Sequence, residues 1–264
     1  MRMPKIIACV ALAVLCLVHA SGAGLAADPD PQQVLAPTGR LRAGLYPGTP
    51  TSILPNAQGE PRGVGYELGK ELARRLGVPY EPVVFSKNAE VLAAVKSGGV
   101  DVAFTNASAS RAQEMDFGPA YLEIELGYLV PKASAIAVIP EIDVAGRHIG
   151  VTEGSTSDAT LSRDLKQAAI VRAATITVAI EMLSAGKMDA FATNKATLFE
   201  MSEKLPGSKV LDGRWGVERH AIAIPKGREL GLPFLRMFTE EVKRAGLITE
   251  AVGRAGLRGA MAAQ

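Results

Sequence analysis

Two identical Thr-Asn pairs, Thr105-Asn106 and Thr193-Asn194, each follow a short apolar segment of the chain. Their side chains carry neutral donors and acceptors, which suit a polar ligand. Ligands of open α/β sheets bind outside the carboxyl ends of the strands. We therefore expect the two pairs to line opposite walls of one cleft. The alternative is that they cap the helix and loop that follow them.

Charged and hydroxyl side chains lie close to these pairs in the sequence. Arg111 follows Ser108 and Ser110, and a guanidinium beside hydroxyls suits bidentate recognition of a carboxylate. Further along, a strand runs into the segment 153–158, a glycine turn and helix start with Ser155 and Thr156 as hydroxyl caps. The free N–H groups of such a start form an anion site, although an ordinary capped helix has the same sequence.

An internal repeat organises the elements that carry these residues. Positions 97–106 resemble positions 185–194, and each copy reads as a helix, a glycine and an apolar strand that ends in Thr-Asn. A second pair of similar strands follows the same rule: one strand begins after Gly39-Arg40 and the other after Gly146-Arg147. Strands that alternate with helices imply parallel βαβ units, so we predict two similar α/β lobes.

Three further segments complete the predicted architecture. The spacing of apolar residues predicts a helix over 65–76, with Gly77 as its stop. Two apolar strands, each ended by Pro-Lys, predict crossovers near Val130 and Ile224, and two crossovers form a hinge. This gives lobe 1 as residues 28–130 plus 225–264, including two C-terminal helices, and lobe 2 as residues 131–224.

Composition and the N-terminus narrow the class of protein. The net charge of +2 over 264 residues is too small for a nucleic-acid surface, so we expect no nucleic-acid partner. Residues 1–27 have the basic start, apolar core and small-residue end of a secretory signal peptide, which places the mature protein in the periplasm. Cys9 and Cys16 lie in that segment. We expect a monomer with no metal, no other cofactor and no membrane insertion after signal removal.

Together these features resemble the family 3 extracellular solute-binding proteins, the amino-acid-type receptors of ABC importers. The resemblance runs from about Thr38 to Leu257. It is carried by the start at Gly39, the helix after Gly63, and the segments 92–106, 111–121, 150–158 and 182–193. It implies a periplasmic-binding-protein-like fold, in which two α/β lobes joined by two crossover strands close on a ligand, and a membrane permease as partner.

The resemblance also implies roles for individual residues. Arg111 is similar to the arginine that holds the ligand carboxylate, with Ser108 and Thr156 as its partners. Asn194 stands where amino-acid binders usually have an aspartate for the ligand ammonium, and Tyr46 stands where binders of basic amino acids have an acid. Without that carboxylate, an ordinary α-amino acid becomes a less favoured ligand, whereas Arg111 still favours a carboxylate-bearing one.

Three functions remain open at this stage. The first is a periplasmic receptor that delivers a small polar molecule to an ABC-type importer. The second is a dehydratase-like enzyme on the same scaffold, with Glu153, Glu218 or His220 as general acid or base. The third is an accessory or sensor protein without a transporter. Trp215, Glu218 and His220 precede the second crossover and are further candidates for the pocket wall, with packing as the alternative for Trp215.

Overall fold

The computed structural model describes residues 30–56 and 59–263, which form one mixed β-sheet flanked by helices. The strands are β1 (Leu41–Leu45), β2 (Tyr80–Val84), β3 (Val102–Asn106), β4 (Met115–Val130), β5 (His148–Thr152), β6 (Ala169–Ala173), β7 (Ala190–Asn194), β8 (Lys209–Val210), β9 (Gly216–Pro225) and β10 (Ala260–Ala262). The helices are α1 (Pro31–Leu35), α2 (Val64–Leu76), α3 (Asn88–Ser97), α4 (Ala109–Ala112), α5 (Thr156–Asp164), α6 (Ile176–Ser184), α7 (Lys195–Lys204), α8 (Leu232–Arg244) and α9 (Leu247–Arg254). The predicted signal peptide, with both cysteines, lies outside the described residues.

The order of the strands shows two similar halves. The sheet runs β2-β1-β3-β9-β4-β7-β5-β6, with β8 and β10 also paired to β4. In the first half β1 lies between β2 and β3, and in the second half β5 lies between β6 and β7; all four pairings are parallel. The predicted parallel βαβ units and the repeat are therefore confirmed.

Local sequence explains why the helices end where they do. The predicted helix over 65–76 is confirmed by α2, whose inward residues Leu68 and Leu72 are buried. Gly77 follows α2 with φ at +70°, and Gly98 follows α3 with φ at +72°. This left-handed conformation favours glycine, and at both ends the glycine N–H bonds back to carbonyl groups of the last turn.

Each half buries its own apolar core. In the first half, α8 and α9 supply Leu235, Phe238 and Ile248 to the cluster that also holds Leu41 and Leu72. Complete burial of such a side chain contributes roughly 1.5–3 kcal/mol. In the second half, successive residues of β4 point to opposite faces of the sheet. Tyr128 belongs to one apolar cluster and Leu129 to the other.

Two long antiparallel strands, β4 and β9, connect the halves. β4 pairs with β9 from Met115 to Leu126 and with β7 from Leu126 to Leu129. β9 in turn pairs with β3 from Ala223 to His220, so the β4–β9 pair joins β3 of the first half to β7 of the second half. The exact lobe boundaries remain a prediction. Over residues 30–56 and 59–263, every helix is too short or too polar to cross a membrane.

Candidate ligand-binding site

A cavity between the two halves collects most of the predicted site residues. The volume of this cavity is about 60 Å³. Its wall includes predicted residues from the first half, the second half and β9: Tyr46, Thr105, Asn106, Arg111, Ser155, Thr156, Asn194, Glu218 and His220. Thr193 also lines it, so both Thr-Asn pairs reach the same cavity.

The two asparagines serve the protein in different ways. Asn106 accepts the N–H of Arg219 at its Oδ1 (3.0 Å) and donates from Nδ2 to Thr156 Oγ1 across the cleft (3.1 Å). Asn194 Oδ1 accepts the N–H of Thr197 (3.0 Å) and so caps α7, which is the alternative role that the sequence left open. Its Nδ2 lies 3.4 Å from Glu218 Oε2.

Arg111 is held from one side, and its remaining guanidinium N–H groups have no hydrogen-bond partner among the described residues. Its Nη1 donates to Thr105 Oγ1 (2.7 Å) and to the carbonyl oxygen of Asn106 (3.3 Å). Among the described residues, no carboxylate forms an ion pair with this guanidinium. Burial lowers the pKa of Arg111, but an arginine stays protonated in proteins. The result is a fixed cation in the wall of a small cavity.

Glu218 supplies the opposite charge. Its side chain is 10% exposed, and its Oε2 lies 3.1 Å from Nε2 of His220. Burial by itself raises the pKa of Glu218, but the His220 contact and the charge of Arg111 outweigh it and hold the pKa below its usual value. The carboxylate is therefore ionised at neutral pH. Sequence analysis named Glu218 as a further candidate for the pocket wall, and this carboxylate lines the cavity beside Asn194.

His220 and Tyr46 complete the polar wall around Glu218. The Nδ1 of His220 is buried and has no hydrogen-bond partner among the described residues. Burial raises the pKa of Tyr46 to about 12, and the negative charge of Glu218 adds to this shift. The Tyr46 hydroxyl therefore stays protonated and can donate a hydrogen bond in the cavity.

Direct hydrogen bonds between described residues join the halves, and two of them lie in the cavity wall. One is the contact from Asn106 to Thr156. The other links Thr49 Oγ1 in the β1–α2 loop to Thr197 Oγ1 in α7 at 2.9 Å, and both of these hydroxyl-bearing residues are buried. These contacts describe a closed arrangement, in which the halves touch each other around the cavity.

Three predicted residues do not line this cavity. Ser108 caps α4 by accepting the Arg111 N–H, and its hydroxyl lies 3.1 Å from that of Ser110. Glu153 is exposed, because the preceding residue, Thr152, is the one that faces the cavity. Trp215 donates from Nε1 to the carbonyl oxygen of Gly127 (3.0 Å) and packs in the second-half core, which is the alternative considered for it.

Sequence reasoning missed several residues of the wall. Thr49, Lys87, Thr175 and Thr197 all line the cavity. Thr175 caps α6 by accepting the N–H of Val178, and a threonine before an apolar helical pattern is a signal that the sequence carries. Thr49 and Thr197 have no such signal, because only the tertiary fold brings their loops together.

Comparison with known sequences finds a matching protein family and a related binding protein. A model of the family described as bacterial extracellular solute-binding proteins, family 3, matches residues 41–229. The glutamine-binding protein GlnH of an ABC transporter from Bacillus subtilis (strain 168) is 23% identical over 176 residues, which is 65% of this chain. The chain thus spans 64% of the length of that relative.

Solved structures share the fold. The solute receptor for L-cysteine of Neisseria gonorrhoeae superposes with a TM-score of 0.75 at 25% identity, over 83% of this chain and 90% of the receptor. A mutant of ArgBP from T. maritima gives a TM-score of 0.75 at 23% identity, over 86% of this chain and 99% of ArgBP. The predicted two-lobed α/β fold is therefore confirmed.

Proposed function

The chain belongs to the bacterial extracellular solute-binding proteins of family 3, and we propose that it captures a small carboxylate-bearing molecule between its lobes and delivers it to an ABC-type importer. The periplasm is the compartment in which it would do so. The matched family and its structural neighbours are solute-binding receptors, not enzymes. The dehydratase-like alternative therefore loses its basis.

The observation that carries the proposal is the state of Arg111. Its Nη1 is fixed by Thr105 and by the Asn106 carbonyl, and no carboxylate of the described chain neutralises it. A cation held in a small cavity is costly unless a counter-charge arrives. A ligand carboxylate supplies that charge and bonds to the planar guanidinium with two parallel hydrogen bonds.

The charge and size of the cavity support the same class of ligand. Lys87 also lines the cavity and forms no ion pair among the described residues, so the two cations outnumber the single acidic group, Glu218. The cavity volume of about 60 Å³ favours a small molecule. Relatives named for L-cysteine and for glutamine are in keeping with a carboxylate-bearing ligand.

A thermal-shift screen tests the ligand class. The purified protein is melted in the presence of amino acids, hydroxy and keto acids, dicarboxylates, amides and sugars. A ligand at 100 times its Kd stabilises the folded state by about 2.7 kcal/mol, which is a readily measured rise in Tm. We expect hits among the carboxylates only. Arg111→Ala should abolish them, because the ligand carboxylate loses its counter-charge.

The control variant is Arg40→Ala, which removes an exposed arginine that pairs with Glu81 outside the cavity. It should leave every hit in place. A neutral sugar that binds equally well to the Arg111→Ala variant would contradict the proposed ligand class. Delivery to an importer is tested separately: deletion of the gene should lower cellular uptake of the identified ligand, and unchanged uptake would contradict a transport role.

A further inference from the structure

We propose that residues 257–263, which follow α9, form a strap that holds α7 of the second half against the first half and favours the closed arrangement before a ligand binds. The strap adds a connection between the halves to the one made by β4 and β9. It lies outside the cavity, so the inference is independent of the ligand class and of the proposed carboxylate contact at Arg111.

The backbone of the strap is fixed to the first half. Leu257 is buried in the apolar cluster of that half. Strand β10 then pairs antiparallel with β4 from Leu122 to Ile124, and both of these residues belong to the same cluster. The carbonyl oxygen of Gly259 accepts the N–H of Glu125 at 3.1 Å. The strap is therefore part of the first half.

The side chains of the strap reach across to α7. Arg258 donates from Nη2 to Oε1 of Glu203, in the last turn of this helix, at 2.6 Å. Its guanidinium also lies over the ring of Phe199, 4.5 Å from the ring centre, which is a cation–π contact. At the first turn, Gly259 approaches the helix so closely that a Cβ at this position would lie 2.8 Å from the Cβ of Lys195. The strap thus contacts both ends of α7.

The contacts between α7 and the first half follow one face of the helix. Residues three positions apart lie on the same face. Three residues with this spacing each contact a partner in the first half: Thr197, Glu200 and Glu203. Thr49 binds the first of them at the cavity, a nitrogen of Arg62 lies 3.6 Å from a carboxylate oxygen of the second, and Arg258 binds the third. This row of contacts runs from the cavity wall to the strap.

The last turn of α7 is the part of the helix that should move most when the halves separate. Ala196, in the first turn, is buried in the first-half cluster, which anchors this end of α7. Glu203 lies about 10 Å further along the helix axis. In a hinge motion, displacement grows with distance from the hinge, so the contacts of Arg258 should break as the cleft opens. Contacts made in only one of two arrangements raise the population of that arrangement.

The exposure of the ion pair sets the size of the effect. The side chains of Arg258 and Glu203 are 49% and 63% exposed, and a single exposed pair is weak. The strap therefore shifts the balance between open and closed molecules without locking it. We expect it to raise the ratio of closed to open molecules about threefold. A ligand that binds only the closed arrangement would gain affinity in proportion to the closed fraction.

Distance measurement by pulsed electron paramagnetic resonance tests the inference on the full chain, dialysed and without added ligand. Spin labels are placed on two exposed residues, one in each half, as Val84→Cys in β2 and Glu181→Cys in α6, with Cys9 and Cys16 replaced by serine. We expect a short and a long distance population, and Arg258→Gln should raise the ratio of long to short about threefold. An unchanged ratio, or the absence of the short population before this substitution, would overturn the inference.

Two further variants separate the strap from a general effect of surface charge. Arg254→Gln is the matched control, because this arginine is also exposed and pairs with Glu67 and Glu250 inside the first half. It should leave the ratio unchanged. Glu203→Gln removes the same ion pair from the side of α7 and should act like Arg258→Gln. An equal shift in Arg254→Gln, or no shift in Glu203→Gln, would contradict the proposal.

Exchange of the two charges gives the strictest test. The single reversals Arg258→Glu and Glu203→Arg place like charges opposite each other and should each raise the ratio of long to short distances about fivefold. The double variant Arg258→Glu/Glu203→Arg restores an ion pair and should return the ratio to within about twofold of its original value. A double variant as open as either single reversal would show that this pair does not control closure.

Discussion

The repeated segments 98–106 and 186–194 fold into the same strand in two halves, yet the two copies have different surroundings. Asp101 is fully buried and binds Arg42 and Arg228 at 2.8 and 2.9 Å. Its counterpart, Asp189, is 34% exposed, and the nearest arginine nitrogen, from Arg147, is 3.6 Å away. The same aspartate is thus the centre of an ion network in one half and a surface acceptor in the other.

The opposite ends of the two segments differ as well. Thr105 accepts a hydrogen bond from Arg111, because the chain after β3 makes only the short helix α4 and returns the guanidinium to the strand end. The chain after β7 continues directly into α7, so Asn194 becomes a helix cap and no arginine returns. Identical local sequence therefore acquires its role from the element that follows it.

The largest expected effect concerns the two aspartates. Asp101→Asn leaves two arginines without their counter-charge and should lower the free energy of unfolding by about 3 kcal/mol, the lower end of the range for buried pairs. Asp189→Asn breaks a solvated contact and should cost about 1 kcal/mol or less. Urea unfolding of both variants at pH 7 measures the difference. Equal losses would show that the two copies are energetically alike.

The loss of unfolding free energy in Asp101→Asn should depend on pH. Burial alone raises the pKa of Asp101, but hydrogen bonds from Arg42 and Arg228 outweigh it and hold the pKa below its usual value. The stabilisation is therefore complete above the unfolded pKa of about 3.9 and is lost as the pH falls through the lower folded pKa. The gap between the wild type and Asp101→Asn should begin to narrow below about pH 4 and continue to narrow as the pH falls further. A gap that stays constant between about pH 5 and pH 3 would contradict this assignment.

A smaller effect should separate the two threonines. Thr105→Val removes the hydroxyl that holds Nη1 of Arg111, and hydrogen bonds to charged groups contribute about 1.5 kcal/mol or more. Binding of a carboxylate ligand should weaken about tenfold, as measured by titration calorimetry. Thr193→Val is the matched control and should change the Kd by less than about threefold. Similar losses in both variants would indicate that Arg111 is positioned by other contacts.

The smallest predicted effect concerns a hydrogen bond between the two halves. Thr197→Val removes the 2.9 Å contact to Thr49, which joins the two halves in the closed arrangement described here. A hydrogen bond contributes about 1 kcal/mol, so ligand affinity should fall about fivefold, mainly through faster dissociation. Ser202→Ala, in the same helix, loses a bond that stays within α7 and should leave the Kd unchanged. No change in dissociation rate for Thr197→Val would exclude this contact from closure.

Local patterns in the sequence were sufficient for the repeat and for much of the site. The stripe of α2, the glycine that ends it and the Thr-Asn strand ends were readable because periodicity and capping depend on neighbours along the chain. The family pattern directed attention to Arg111. The extent of β4 was underestimated, since only its last part stands out as an apolar strand, and the short helix α1 was not recognised.

The tertiary structure alone decided which groups surround the cavity. Glu218 lies 24 residues after Asn194 in the chain, and only the pairing of β9 with β3 and β4 brings its carboxylate to the end of β7. The same pairing puts Trp215 into a core instead of the pocket. The sequence by itself determined the elements, because they follow from local physics. It did not determine which side chains of distant elements contact each other, because strand register between distant segments is set by packing across the whole sheet.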